Sequence, residues 1–401
     1  MTVWLNVVGI GADGLAGLSP AARTLIATAE ILIGGERHLS MVPGNGAERM
    51  GWQWPVERTL DAIAAKRGKR VTVLATGDPM SFGIGAALSR YFDPAEMAVI
   101  PHIGAFSLAC ARLNWPLHEV ETLTLHGRPL ELLNLHLAPD ARLLILSEDG
   151  DTPGKVATLL KARGFGPSRL VVLEEMGAAG ESRIEATAQG WNAPRCNDLN
   201  TIGVECRAGK DAAFHARVPG LADDAFEHDG QITKREVRAI TLSALAPMPG
   251  ARLWDVGAGS GSIAIEWLRA AKRAEATAIE RIAARRAIIA RNAAALGVPG
   301  IEIIEGSAPA ALDGLEAPDA VFIGGGLTAP GLIEACWDAL KPKGRLVANA
   351  VTVESETVLA RARDDFGGSL TRIAISRVEP LGPYGAWRGL IPVTQLAAMK
   401  K

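Results

Sequence analysis

The segment Leu253–Gly261, LeuTrpAspValGlyAlaGlySerGly, leaves this chain few folds to choose from. An apolar strand carrying Asp255 runs into Gly257, Gly259 and Gly261, which let the backbone approach a ligand and turn into a helix. A strand that feeds a glycine loop and then a helix belongs in an α/β layer. The spacing is GxGxG, not the GxGxxG of the dinucleotide fingerprint. The next strand, Ala276–Ile279, ends in Glu280, roughly 25 residues after Asp255. An acidic side chain there can accept hydrogen bonds from ribose hydroxyls.

S-adenosylmethionine (SAM) has a ribose and no pyrophosphate, so its loop needs no surplus of positive charge, and none is present. A tight structural turn or a nicotinamide dinucleotide would use the same glycines. The strand pattern continues at Arg252–Val256, Ile301–Glu305, Ala320–Ile323, Arg345–Ala350, Leu370–Ser376 and near Gly389–Val393. Seven strands with helices between most of them predict one doubly wound sheet. Gly306–Ser307–Ala308 follows the third strand, where Ser307 and Ala308 are placed to flank an adenine. Gly324–Gly326 follows the fourth, and Gly325 is expected to leave room for a large flat ligand. Thr233, Lys234, Arg235 and Arg238 gather at the start of a helix predicted over Lys234–Ala246, with Thr233 as its N-cap. Hydroxyl, free N–H groups and positive charge suit carboxylates. A solvated helix start would look the same.

The first half has its own count of strands. Val3–Ile10, Arg70–Ala75, Ala98–Ile100, Thr122–Leu125, Leu143–Leu146 and Arg169–Glu174 read as strands, with Pro20–Ala29 and Gly104–Leu113 as helices. Glu185–Ala188 and Thr201–Cys206 lack helices between them and predict an antiparallel finish. The first strand ends in the glycine loop of VVGIGADG, and the second in ATGDPMSFGIG. There Gly77 permits a turn, Asp78 can bond ribose or backbone groups, and Pro79 fixes the exit. Pattern fades between Ala208 and Gly230. The expected organisation is therefore one domain over 1–207, a linker over 208–229 and a second domain over 230–401.

Composition excludes several classes. In 401 residues, Lys+Arg is 42 and Asp+Glu is 44, which gives no bulk attraction for nucleic acid or an anionic membrane. Cys110, Cys196, Cys206 and Cys336 stand apart, outside any CxxC or Cys/His cluster, so no metal is expected and each reads as a small buried hydrophobe. No stretch reaches the roughly 18 apolar residues of a membrane helix. The N-terminus lacks a basic region and reads as a first strand, so a cytoplasmic protein is expected.

In combination, VVGIGADG, ATGDPMSFGIG, GlyAlaPheSer (104–107), HisGlyArg (126–128) and EDGDTP (148–153) resemble the tetrapyrrole methylase family, in particular its C5-methylating precorrin branch, over about residues 3–207. The resemblance implies a fold of two α/β halves with SAM in the cleft between them. It assigns Gly77, Asp78, Pro79, Ser107 and the Thr152–Pro153 region to the cofactor, and His126 and Arg128 to substrate carboxylates. The pieces GQITKREVRA, LWDVGAGSGSIAIEW, AIER, GSAPAAL, IGGG and ANAVTVESE resemble, over about 225–400, the Rossmann-like class I SAM methyltransferases that methylate C15 of precorrin-6Y-type rings and remove the carboxyl of the C12 acetate. This implies one SAM per domain, a tetrapyrrole substrate, no metal and a homo-oligomer. Asp255, Gly257, Gly259, Gly261 and Glu280 fall to the cofactor; Thr233, Lys234, Arg238 and Gly325 fall to the substrate. Glu266 and Glu354 are candidate proton donors by position in the matching segments. Rival readings are a methylase of another tetrapyrrole or of an RNA base, and a carrier with one inert domain. The scarcity of aromatics, about 5%, and the IleGlyGlyGly after the fourth strand argue against RNA.

Overall fold

Leu5–Ile10 (β1) is buried at every position, as a strand covered on both faces must be. In the computed structural model, which describes residues 3–401, β1 is flanked in parallel by Val71–Thr76 (β4) and Met97–Ile100 (β5). Ile31–Ile33 (β2) and Glu48–Met50 (β3) extend this sheet to the order β3-β2-β4-β1-β5. A second sheet has the order β6-β7-β10-β8-β9. Its strands are Glu121–Thr124 (β6), Arg142–Leu146 (β7), Arg169–Glu174 (β8), Ser182–Thr187 (β9) and Asn200–Glu205 (β10). Only β6 and β7 are parallel, so the expected antiparallel finish is present. The strands β2 and β3, three residues each, were not expected from sequence. The chain clusters into two compact units: Met1–Leu130 with Ala138–Ala213, and Glu131–Leu137 with Phe214–Lys401.

Unit 2 holds the predicted seven-stranded sheet. Its order is β13-β12-β11-β14-β15-β19-β16. The strands are Arg252–Val256 (β11), Glu275–Glu280 (β12), Glu302–Glu305 (β13), Ala320–Ile323 (β14), Arg345–Ala350 (β15), Ser369–Ile373 (β16) and Val393–Met399 (β19). The first five are parallel, and β19 runs antiparallel between β15 and β16. The strand expected near Gly389–Val393 is in fact β19, further along. Gly389 closes an extra hairpin of Ser376–Leu381 (β17) and Tyr384–Gly389 (β18). Both units are thus mixed α/β.

Residues read as linker pack into unit 2. Leu221 and Phe226 join the core formed by Leu242, Leu253, Ile265 and Trp267. The segment Glu131–Leu137 joins the same unit: the Asn134 amide donates to the Ala294 carbonyl at 3.0 Å, and Leu133 and Leu137 are buried. All four cysteines are free and buried, and burial pushes the Cys206 and Cys336 thiols up to about 12. No helix among the described residues is long and apolar enough to cross a membrane.

Candidate active sites

Each unit opens a cavity at the carboxyl ends of its parallel strands, where open α/β sheets place ligands. In unit 2 the cavity measures about 950 Å³. Gly257, Gly259, Glu280, Ser307, Ala308, Gly325, Thr233 and Lys234, all expected from sequence, line it. Gly257 has φ of 72°, and a side chain there would press on the Gly325 backbone at 3.1 Å. Gly259, at φ 59°, faces open space. The two glycines therefore do different work: one brings two loops together, the other leaves room above them.

Glu280 is buried, and its two oxygens accept from the backbone N–H groups of Gly259 and Ile282, each at 2.9 Å. These bonds fix the carboxylate and tie the glycine loop to β12. Each oxygen retains a lone pair for a hydroxyl of a ligand. Ser260, unexpected from sequence, also lines the cavity, with a buried hydroxyl that meets no partner among the described residues. A ribose-bearing ligand would satisfy such groups, so the residues present fit SAM.

Asp255 and Gly261 stand behind the wall. Asp255 accepts from the Ala264 N–H at 3.0 Å, and a side chain at Gly261 would meet Ile289 at 2.9 Å. Burial pushes the Asp255 carboxyl from 3.8 up to about 7, against the pull of the Ala264 N–H and with help from the Glu280 charge. The native state therefore holds a proton that the unfolded chain has released between about pH 4 and 7. Unit 2 should lose stability as pH rises through that window. Asp255→Asn should flatten the slope of Tm against pH; an unchanged slope would place the titration elsewhere.

The structure corrects four expectations here. Arg238 cannot meet a substrate carboxylate: it is fully buried, with Nε donating to Glu266 at 2.6 Å, Nη1 to the Thr233 carbonyl at 2.5 Å and Nη2 to the Leu221 carbonyl. Glu266 is no proton donor, because it accepts from Arg238 and from the Gly220 and Leu221 N–H groups. Thr233 lies one residue before the true N-cap, Lys234, of the helix Arg235–Leu245. Glu354 is exposed on the helix Val353–Phe366 and does not line the cavity. Asn349, not singled out from sequence, does line it. Its amide is held from behind by Thr241 at 3.0 Å and Gln395 at 2.9 Å, both buried.

Unit 1 has a cavity of about 360 Å³ lined by Gly77, Asp78 and His126. Here the backbone packing is closer still. A side chain at Gly9 would lie 1.9 Å from the Gly77 carbonyl, and one at Gly77 (φ 56°) would meet Gly104 at 3.2 Å. Asp78 turns one oxygen to the Met80 N–H at 2.9 Å. Pro79 is buried beneath, its carbonyl accepting from Gly85. Ser107 is exposed on the helix Ala105–Leu113, where Phe106 and Leu108 face the cavity instead. Arg128 is exposed, its guanidinium 5.7 Å from the ring of Phe82 at the cavity wall. Thr152 is spent internally on Asp149 at 2.9 Å, and neither it nor Pro153 lines the cavity. Arg37 and His38 line the cavity and were missed, because they follow β2, too short for a period to register.

Comparison with known proteins follows this division. Residues 5–190 match the family described as Tetrapyrrole (Corrin/Porphyrin) Methylases, and residues 224–400 the Precorrin methyltransferase domain. The chain is 48% identical over 396 residues to the precorrin-6Y C(5,15)-methyltransferase (decarboxylating) of a Sinorhizobium species, covering 98% of this chain and 95% of the relative. The cobalt-precorrin-7 C(5)-methyltransferase of Salmonella typhimurium is 35% identical over 180 residues, covering 45% of this chain and 88% of the relative. The probable cobalt-precorrin-6B C(15)-methyltransferase (decarboxylating) of Pyrobaculum calidifontis is 33% identical over 187 residues, again 45% of this chain, and 95% of the relative.

Proposed function

The chain belongs to the precorrin-6Y C(5,15)-methyltransferase (decarboxylating) family, and on that premise we propose that its two units divide the two methylations between them. It is a SAM-dependent methyltransferase of cobalamin biosynthesis, methylating precorrin-6Y at C5 and C15 and decarboxylating it. In this reading unit 1 methylates C5, and unit 2 methylates C15 and removes the acetate carboxyl. One observation carries it: each unit has its own cavity at a glycine-rich strand end beside an acidic residue, Asp78 in one and Glu280 in the other. The relatives that carry C5 or C15 chemistry alone, each matching under half of this chain, support the same division.

When bound, SAM supplies an activated methyl, and the protein's task is alignment and exclusion of water. In unit 2, Glu280 would hold the ribose, Gly259 would admit the cofactor, and Ser307 and Ala308 would flank the adenine. Thr233 and Lys234 stand at the rim for substrate carboxylates, with Gly325 leaving space for the ring. In unit 1, Gly77 and Asp78 would hold the cofactor and His126 would meet the substrate. Apolar side chains that line the cavity with Asn349, among them Ile373, Ile375 and Val393, would offer an acetate a poorly solvated surrounding, which favours release of neutral CO2 while the electron pair of the broken bond passes into the conjugated macrocycle and a proton is taken up. The reading includes a homo-oligomer in the cytoplasm.

Calorimetry of SAM binding to the intact protein tests this. Two sites per chain are expected, with Asp78→Ala and Glu280→Ala each removing one. A single site that both substitutions weaken would sink the division.

A further inference from the structure

The cavity of unit 1 contains a guanidinium that no carboxylate neutralises. Arg37 lies on the short helix Glu36–Ser40 and lines the cavity beside Thr76, Gly77 and Asp78. It is half-buried and makes no ion pair among the described residues. Arg112, Arg142, Arg169 and Arg195 of the same unit all reach a Glu or Asp. Burial holds the Arg37 guanidinium below its ordinary range, and Glu175, which opposes this, lies beyond ion-pair distance.

Its bonds leave it pointed and unsatisfied. Nη2 donates to the Thr76 hydroxyl at 3.0 Å and to His38 Nε2 at 3.2 Å. Arginine has no acceptor atom, so His38 Nε2 accepts and the ring proton sits on Nδ1. The Thr76 hydroxyl lies 2.8 Å from the same nitrogen, whose single lone pair the two donors share. Burial, and then the Arg37 charge, lower the His38 pKa to about 4. His38 is therefore neutral and steers Arg37 without adding charge. Nε and Nη1 of Arg37 meet no acceptor in the protein among the described residues, and no atom of Arg37 is among the sealed, unpartnered ones. Donors arranged as a fork and open to a cavity match a carboxylate.

We propose that Arg37, held by Thr76 and His38, binds a ligand carboxylate in the cavity of unit 1. Trp52, Phe82, Phe106 and Met176 line the same cavity and would flank a flat ring, which favours an acetate or propionate of the tetrapyrrole. The amino-acid carboxylate of SAM carries the same group. The proposal rests on the reading that unit 1 methylates C5.

Steady-state kinetics of both methylations by the intact protein provide the test. Loss of a charge-assisted bond in Arg37→Met should raise KM for the tetrapyrrole in C5 methylation roughly 10- to 100-fold, with kcat within about threefold of wild type. Arg37→Lys should recover part of this, since a point charge lacks the fork. C15 methylation should not change. A rise in KM for SAM in place of the tetrapyrrole would keep the carboxylate site and identify SAM as its occupant. Unchanged KM for both, or a fall in kcat alone, would overturn the site. Asp78→Ala separates the two levels: if it abolishes C5 methylation while Arg37→Met does nothing, the site is wrong and the division stands. If neither affects C5, the division itself is wrong. An unchanged circular dichroism spectrum and denaturant midpoint in Arg37→Met show that the variant is folded.

Discussion

Arg238→Met should destabilise unit 2 by about 3–5 kcal/mol, as breaking a buried ion pair by removing one partner does. The reason is what remains behind. Glu266 would stay buried as a charge, with only the Gly220 and Leu221 N–H groups to hold it. The Leu221 and Thr233 carbonyls would each lose a charged donor, and Phe226 the cation 4.8 Å from its ring centre. Those groups belong to the segment that leads into the cavity wall at Thr233 and Lys234. Denaturant unfolding of the intact protein reads the effect. The double variant Arg238→Met/Glu266→Gln should be more stable than the single one, because the stranded charge is gone. A loss below about 1 kcal/mol would mean that the pair behaves like a solvated surface bridge.

Glu280→Ala should reduce C15 methylation at least roughly 100-fold at limiting SAM, while leaving C5 methylation at the wild-type rate. Two charge-assisted hydrogen bonds to a ribose, at about 1.5–3 kcal/mol each, account for such a loss. A second contribution comes from the loop, since the Gly259 and Ile282 N–H groups lose their acceptor together. Glu280→Gln, which keeps one carbonyl oxygen, should fall between. Asp78→Ala should show the reverse pattern. Assay of both methyl additions on one substrate preparation gives the comparison directly. Wild-type C15 activity in Glu280→Ala would remove the cofactor role from this residue.

The sequence exposed the parts of the fold whose signals are local. β11 with its glycine loop, β12 ending in Glu280 and the count of seven strands follow from short apolar runs and from residues adjacent in the chain. The hairpin β17–β18 escaped because it buries almost nothing: Val378, Leu381, Tyr384 and Trp387 are all exposed. A strand with no buried face has no alternation to read. Its absence from the reading also displaced the last strand of the sheet.

Arg238 was misread because its counter-charge lies 28 residues away, on another helix. One local clue existed. Arg238, Thr241, Leu242 and Leu245 share a helical face, and all four are buried. Arg37 was missed for a different reason: its meaning depends on Thr76, 39 residues on, across the sheet. The glycine loops that line the two cavities were legible in sequence, whereas the absence of Ser107 and Thr152 from the lining depends on which helix face turns inward.

Unit 2 is assembled from two stretches of chain, and this has a consequence for the order of synthesis. The Asn134 bond to Ala294 spans 160 residues. On the ribosome, the apolar run LeuGluLeuLeuAsnLeuHisLeu (130–137) emerges long before the helix Ala283–Ala295 that receives it. Until then Asn134 lacks its acceptor, and Leu135 lacks the turn at Gly297 that it packs against. The nascent chain thus carries an apolar segment without its final hydrogen-bond partner through the making of roughly 160 residues, a period in which incompletely packed apolar segments are most open to aggregation. Completion of the first part of the chain and protection of that segment are separate events in time.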